Sequence, residues 1–427
     1  MSSSVAFRSR PTPAAFRSRR ALLSERAAKD PGRRTRRMVT VTWFLLLFNT
    51  LTFYSGISFL HIPGAVGKGI AQATLPVAFL LALAVNRRQL IRPNVFLCIV
   101  SLLVVGVLIT TLQPQHLGTV YRTFRLALFI ATLWLLTPWW GRRDMLLVRS
   151  HITALSIALG SVLVGLVLSP GHALVAGRLT GALWPIVPTQ VAHYAAVLTG
   201  LVVVLWFCGE LRGRTAALTV MVTGVILILT HTRTALAALI AAIVVAGLSL
   251  IVAKARVRKL FAAGGVLVAV VVATLSQALT TWLARGENSQ ELYNLTGRTT
   301  VWTALVNYPR NKFQEIFGFG LSNSSFDGRS IDSNWLSSYQ EQGLFGVAVC
   351  AAMLLFLIAA AYFQPRGVQR ALALFLVTYC LIASFTEVGF TDASPYLLEL
   401  TLAASLLVPS AARYPEEPVL GREELAV

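Results

Sequence analysis

The sequence predicts an all-α, polytopic membrane protein of about twelve transmembrane helices, with one large external loop between spans nine and ten. Three observations predict it. Of 427 residues, 56% are hydrophobic and only 13% are charged, where soluble proteins carry about 25% charged residues. Apolar stretches of about 20 residues recur along the whole chain, the length a helix needs to cross a ~30 Å hydrocarbon core. Lys and Arg concentrate in alternate connections, so that 27 of the 37 fall on one side of the alternation. The net charge of +20 is therefore mostly topology. A nucleic-acid binder would need an exposed basic fold, and little chain lies outside the apolar segments.

Residues 1–37 form a polar, basic tail with 11 Lys/Arg and two acids. Ala6-Phe7-Arg8-Ser9-Arg10 returns nearly intact as Ala15-Phe16-Arg17-Ser18-Arg19. Such a composition cannot bury a core, so disorder is expected. It reads as a topology signal resting on anionic lipid, or alternatively as a transit peptide. The membrane domain follows over 38–410, and a second short tail over 411–427. Its spans are expected near 38–60, 69–86, 94–112, 119–140, 151–169, 186–208, 215–230, 234–253, 259–282, 343–363, 369–388 and 394–410. The inner connections then carry Arg87, Arg88 and Arg92; Arg142, Arg143 and Arg149; Arg212 and Arg214; Lys254, Arg256, Arg258 and Lys259; and Arg366 and Arg370. One missed span would break that alternation, so both termini are expected in the cytoplasm of a plasma-membrane protein. The first apolar segment is too long for a signal-peptide h-region and lacks a small-residue cleavage site. Cys98, Cys208, Cys350 and Cys380 all lie in apolar segments, with neither CxxC nor Cys/His metal spacing.

The external side is dominated by residues about 283–342. A loop this long in a compact protein is usually functional. It contains an expected amphipathic helix near 298–307, with Val301, Trp302 and Leu305 on one face. Gly318 and Gly320 follow, as a tight turn or a weak phosphate-binding signal. Asn294-Leu295-Thr296 and Asn323-Ser324-Ser325 match glycosylation sequons, which matter only in a secretory eukaryotic setting.

Five arginines at the external mouths of the spans carry the functional argument: Arg122, Arg125, Arg178, Arg233 and Arg298. An arginine at bilayer depth costs about 2.5–3.5 kcal/mol on insertion scales. Any one of them can be a snorkelling or structural cation. Five converging on one side suit a strongly anionic ligand, because guanidinium forks match phosphate oxygens. A diphosphate at the membrane surface is such a ligand.

The external acids show no DxD and no metal-ligand spacing, so no metal or other cofactor is expected. Asp332, in Asp332-Ser333-Asn334-Trp335-Leu336, is open to two readings. It is a base for a sugar hydroxyl, or it or Ser333 is a helix N-cap. His231, beside Arg233, is a base, a diphosphate contact or a hydrogen-bonded interfacial histidine. Glu399, inside the last span, needs a charge partner, for which one of the arginines is a candidate.

Together these segments resemble the O-antigen ligase/O-antigen polymerase superfamily. The resemblance rests on Thr230-His231-Thr232-Arg233-Thr234-Ala235-Leu236, Thr296-Gly297-Arg298 with Trp302, Gly318-Phe319-Gly320, and Asp332-Ser333-Asn334-Trp335-Leu336 with Glu341, Gly343 and Gly346. Arg178-Leu179-Thr180-Gly181 is similar to that family's stretch before a central span. The motifs cover about 170–350, and the remainder agrees by topology alone.

The resemblance implies a GT-C-like glycosyltransferase that takes a glycan from a polyprenyl-diphosphate carrier at the outer face of the plasma membrane. Its expected partners are that donor, a glycan acceptor and the bilayer, with no nucleic acid. Arg233 and Arg298 would hold the diphosphate, helped by Arg122, Arg125, Arg178 and His231. Trp302 and Trp335 would line the substrate site. Asp332 would serve as base in an inverting, metal-independent transfer. The family's ligases carry a His-Asn pair where this chain reads Asp332-Ser333, which favours polymerisation or ligation to a different acceptor. A twelve-span transporter or flippase of lipid-linked oligosaccharide is the alternative of another class. Against it, the two halves show no matching Gly/Pro-broken spans.

Overall fold

The computed structural model describes residues 31–409, except 55, 57, 58, 60, 112–116, 143, 252, 253, 264–273, 275–297 and 323. It is mostly helical, as predicted. The first helices are α1 (Pro31–Asn49), α2 (Gly64–Val85), α3 (Val95–Thr110), α4 (Leu117–Leu135) and α5 (Leu146–Leu168). They are followed by α6 (Pro188–Cys208), α7 (Gly213–Thr230) and α8 (Arg233–Ile251). Two short helices come next, α9 (Arg298–Val306) and α10 (Lys312–Phe317). The chain closes with α11 (Asn334–Phe363), α12 (Val368–Ala383) and α13 (Pro395–Leu407). Six of these helices, α2, α5, α6, α7, α8 and α11, are long and apolar enough to cross a membrane.

The expected span near 259–282, the tail over 1–30 and most of the early external loop lie outside the described residues. The first helix departs from the sequence expectation at both ends. It starts at Pro31, inside the segment assigned to the tail, where proline's fixed φ suits a first helical turn. It stops at Asn49, well short of residue 60.

α6 is the central helix, packing against α5, α7, α8 and α12. Gly200 is the reason α12 approaches closely: a Cβ there would meet the Phe375 ring at 1.8 Å. α13 is buried along its whole length. Its 13 residues span only ~20 Å and the 16 of α12 only ~24 Å, less than the ~30 Å of a hydrocarbon core. The connection between them, 384–394, is therefore sunk into one end of the bundle. Ser384, Phe390, Thr391 and Ala393 are all buried there.

Irregular backbone at depth is tolerated only where its polar groups find partners. Here side chains supply them. Asn334 Oδ1 accepts from the N–H groups of Gly389 (3.2 Å) and Phe390 (2.8 Å). Arg125 Nη2 donates to the Ala393 carbonyl at 2.7 Å, and Gln342 Nε2 to that of Thr391 at 3.4 Å. The Asn334 N–H donates to the Ser384 carbonyl at 2.9 Å.

α11 is two helical segments joined by a kink at Gly343, whose φ is +63°. The kink frees carbonyls, and the Phe317–Gly320 segment takes them. Phe319 N–H donates to Gln340 (3.0 Å) and Gly320 N–H to Glu341 (2.9 Å). A Cβ at Gly343 would lie 2.4 Å from the Ile316 carbonyl, and one at Gly318, also at positive φ, 2.5 Å from the Gln342 nitrogen. The two glycines thus let two backbones touch. Glu341 seals this junction, its Oε1 accepting from Ser322 N, Ser322 Oγ and Ser324 N, each at 3.0 Å. Two antiparallel two-residue hairpins, β1 (Leu174–Val175) with β2 (Arg178–Leu179) and β3 (Ser325–Phe326) with β4 (Arg329–Ser330), complete the fold.

Candidate active site

Of the sequence-predicted residues, Arg125, Arg178, Arg298, Asp332 and Trp335 reach the sunken loop 384–394. Arg178 lies on β2. Its Nε donates to the Thr230 carbonyl at 3.0 Å and its Nη2 to Thr232 Oγ1 at 3.3 Å. This staples it to the short turn between α7 and α8 that carries His231 and Arg233. His231 ends α7 in the left-handed region, with φ +49°, and Arg233 opens α8. The turn is itself tied to the loop, Thr386 Oγ1 donating to Thr234 Oγ1 at 2.9 Å. Burial draws the proton affinity of Arg178 below the ordinary guanidinium value, and the nearby Glu387 opposes that.

Arg298 opens α9, where Val301 and Leu305 bury one face against Ile331. That small core brings the start of α9 to the segment before α11. Arg298 Nε lies 3.1 Å from Asp332 Oδ2, and Ser330 Oγ donates to Asp332 Oδ1 at 2.6 Å. Both Asp332 oxygens are therefore engaged. The N-cap of α11 is Ser333, without a side-chain cap bond, so Asp332 serves as an ion-pair partner rather than a cap.

Glu387 sits at the focus. Arg298, Arg178, His193 and Asp332 are all within its electrostatic reach. Burial pushes its carboxyl up to about 7; Arg298, His193 and Arg178 hold it down, while Asp332 adds to the rise. Trp335, in the first turn of α11, reaches the same loop, donating from Nε1 to Ser384 Oγ at 3.1 Å. Trp302 is half-buried on α9, one residue beyond Val301.

Arg122 and Arg125 belong to a different group on α4, with Tyr121 and Asp392. Arg125 is an internal clamp. It is 3.4 Å from Asp392 and also donates to Asn49 Oδ1 (3.2 Å), the Asn49 carbonyl (3.3 Å) and Ala393. Among the described residues, no group of three His, Cys, Asp or Glu side chains is arranged to hold a metal ion.

Glu387 was visible in sequence only as one acid among several at the end of an apolar run. Asn334 and Arg125 carried no signal of their structural roles, because nothing in the spacing announces a buried loop 50 to 270 residues away.

No curated protein matches the chain. Residues 217–349 match the family model described as O-antigen ligase. The matched stretch contains Arg233, Arg298, the Gly318–Gly343 junction and Asp332, so over residues 217–349 this chain, with six helices long and apolar enough to cross a membrane, is similar to the O-antigen ligase family.

Proposed function

We propose that the protein is a glycosyltransferase that moves a glycan from a polyprenyl-diphosphate carrier to an acceptor glycan at the outer face of the plasma membrane, in the manner of an O-antigen or capsule polymerase. The observation that carries this reading is the gathering of Arg178, Arg298 and the Arg233 turn around a half-buried carboxylate, Glu387, on a loop below the end of the bundle. That arrangement pairs cations for a diphosphate with a group able to exchange a proton near neutral pH. The O-antigen ligase match over the same residues supports it.

In this reading the acceptor hydroxyl attacks the anomeric carbon with inversion. The O–H bond breaks toward Glu387 as the new C–O bond forms. The old anomeric C–O bond breaks, and its electron pair leaves on the carrier diphosphate. Arg233, Arg298 and Arg178 stabilise that developing charge. Such preorganised donors are worth about 2.7–4 kcal/mol each in related oxyanion sites. Asp332 holds Arg298 in place. Ligation to an acceptor other than a carrier-linked chain uses the same geometry, since only the acceptor differs.

The test is transfer by the purified protein in detergent, with a synthetic polyprenyl-diphosphate oligosaccharide and no ion gradient. Glycan extension with release of polyprenyl diphosphate is expected. Movement of the intact donor between leaflets of a vesicle, without a new glycosidic bond, would replace the enzyme reading with a flippase.

A further inference from the structure

The unit that carries Arg298, α9 with α10 and the β3–β4 hairpin, is tied to the bundle at residues 339–341 of α11, just before the kink at Gly343. Arg310 donates to the Tyr339 carbonyl at 3.3 Å and to Gln340 Oε1 at 2.6 Å. Phe319 and Gly320 take the next two carbonyls. Glu341 adds its side chain. It is 2% exposed and lies ~10 Å along the axis from the first residue of α11. Its Oε1 accepts from Ser322 N, Ser322 Oγ and Ser324 N, each at 3.0 Å. The transfer step does not use this carboxyl.

A path of short contacts leads from Glu341 to Arg298. Ser324 stands in the left-handed region, with φ +48°, a conformation that costs a serine energy and that its surroundings must offset. Three bonds hold it there. Its N–H donates to Glu341, its carbonyl accepts from the Ile331 N–H at 2.7 Å, and its Oγ accepts from Ser337 Oγ at 3.0 Å. The Ile331 bond closes the β3–β4 hairpin, in which Ser325 pairs with Ser330. Ser330 Oγ donates to Asp332 Oδ1 at 2.6 Å, and Asp332 Oδ2 accepts from Arg298 Nε at 3.1 Å. Ile331 packs on Val301 and Leu305, the buried face of the helix that Arg298 opens. A contact through Nε fixes the plane of the guanidinium, so the direction of its terminal Nη pair follows from the place of Asp332.

We propose that Glu341 is a positioning residue for Arg298: it holds the turn at 322–324, the turn sets the hairpin, and the hairpin sets the Asp332 carboxylate that aims the guanidinium at the diphosphate. This deepens the proposed function and rests on its assignment of Arg298 to the diphosphate. What matters is where one acceptor oxygen stands. Glutamine keeps an oxygen at that place. Aspartate keeps the carboxyl but, one methylene shorter, draws it ~1.5 Å back from the turn and out of reach of its donors.

The test is calorimetric binding of geranylgeranyl diphosphate, a short prenyl diphosphate, to the full chain in detergent, with glycan transfer measured separately. Arg298→Ala should weaken binding about tenfold, the scale of one lost charge-assisted contact. Glu341→Asp should weaken it about as much, and Glu341→Gln should recover most of the loss. In an Arg298→Ala background, Glu341→Asp should weaken it no further, because both changes remove one interaction. Additive losses overturn the proposal, since Glu341 then acts on something other than Arg298. So does the reverse order, with Gln weaker than Asp, which would make the charge the operative property. Deuterium uptake should rise over residues 322–332 in Glu341→Asp while α6 stays protected. Where uptake rises everywhere instead, Ser330→Ala, at an exposed position, tests the path from its other end. A loss that is again non-additive with Arg298→Ala is expected there, and unchanged affinity overturns the proposal. Affinities in the expected order with no glycosidic bond formed keep this inference and replace the transferase reading. Transfer that persists with additive affinities sinks this inference alone, and wild-type protein that binds no prenyl diphosphate sinks both.

Discussion

Arg298 and Asp332, 34 positions apart, meet at 3.1 Å because α9 and the segment before α11 share the small core of Val301, Leu305 and Ile331. Arg298 on Oδ2 and Ser330 Oγ on Oδ1 leave neither Asp332 oxygen without a donor. Asp332→Asn preserves shape while removing the charge that orients Arg298. About a tenfold loss in kcat/KM is expected, with the acidic limb of the pH–rate profile retained. Abolished turnover with a flattened limb would instead make Asp332 the base.

Glu387→Gln should lower kcat by about 10²-fold or more, the scale of a lost general base. In the wild type, the rate should rise through a midpoint of about 7, as the carboxyl ionises. Stability should run the other way. The folded carboxyl holds its proton more tightly than in the unfolded chain, so its contribution is fully present below the ordinary value of 4.5 and lost as pH rises through about 7. Thermal melts of wild type and Glu387→Gln across pH 4–8 check the sign. Parallel curves would show that Glu387 does not titrate in that window.

Arg233→Ala and Arg298→Ala should each reduce turnover by about two orders of magnitude with normal expression. Lysine should restore only part of it, because an ammonium lacks the planar fork. Arg125→Ala should act differently. It removes the clamp on Asn49 and Ala393, so it should lower the melting temperature before it alters KM. A raised KM at unchanged melting temperature would return Arg125 to the substrate site.

Asn334→Ala leaves the Gly389 and Phe390 N–H groups without their acceptor in a buried loop. A loss of about 2–3 kcal/mol is expected, from the cost of stranded buried donors. Gly343→Ala should be as damaging, since it combines φ +63° with a Cβ 2.4 Å from the Ile316 carbonyl. Melting in detergent measures both.

Topology is checked by single cysteines at two exposed positions, Ser330 and Gly213. An impermeant thiol reagent applied to intact cells should label Ser330→Cys and spare Gly213→Cys. The opposite pattern would invert the charge-based orientation.

The chain's own sequence determined the helical, membrane-embedded class, because apolar length and alternating Lys/Arg are local properties that a bilayer reads directly. It also determined the arginines and the short motifs around Arg233, Arg298, Gly318 and Asp332, since each motif is contiguous. The tertiary structure alone decided which of these residues meet. It divided the five arginines, giving Arg178 and Arg298 to Glu387 and Arg125 to Asp392 and Asn49. The proposed proton-exchanging group is Glu387 rather than Asp332 on the strength of its burial, which is a property of packing rather than of spacing. The tertiary structure also gave Glu399 the partner its sequence position required, His193, from a helix some 200 residues earlier, where only the convergence of α6 and α13 in the apolar interior could supply one.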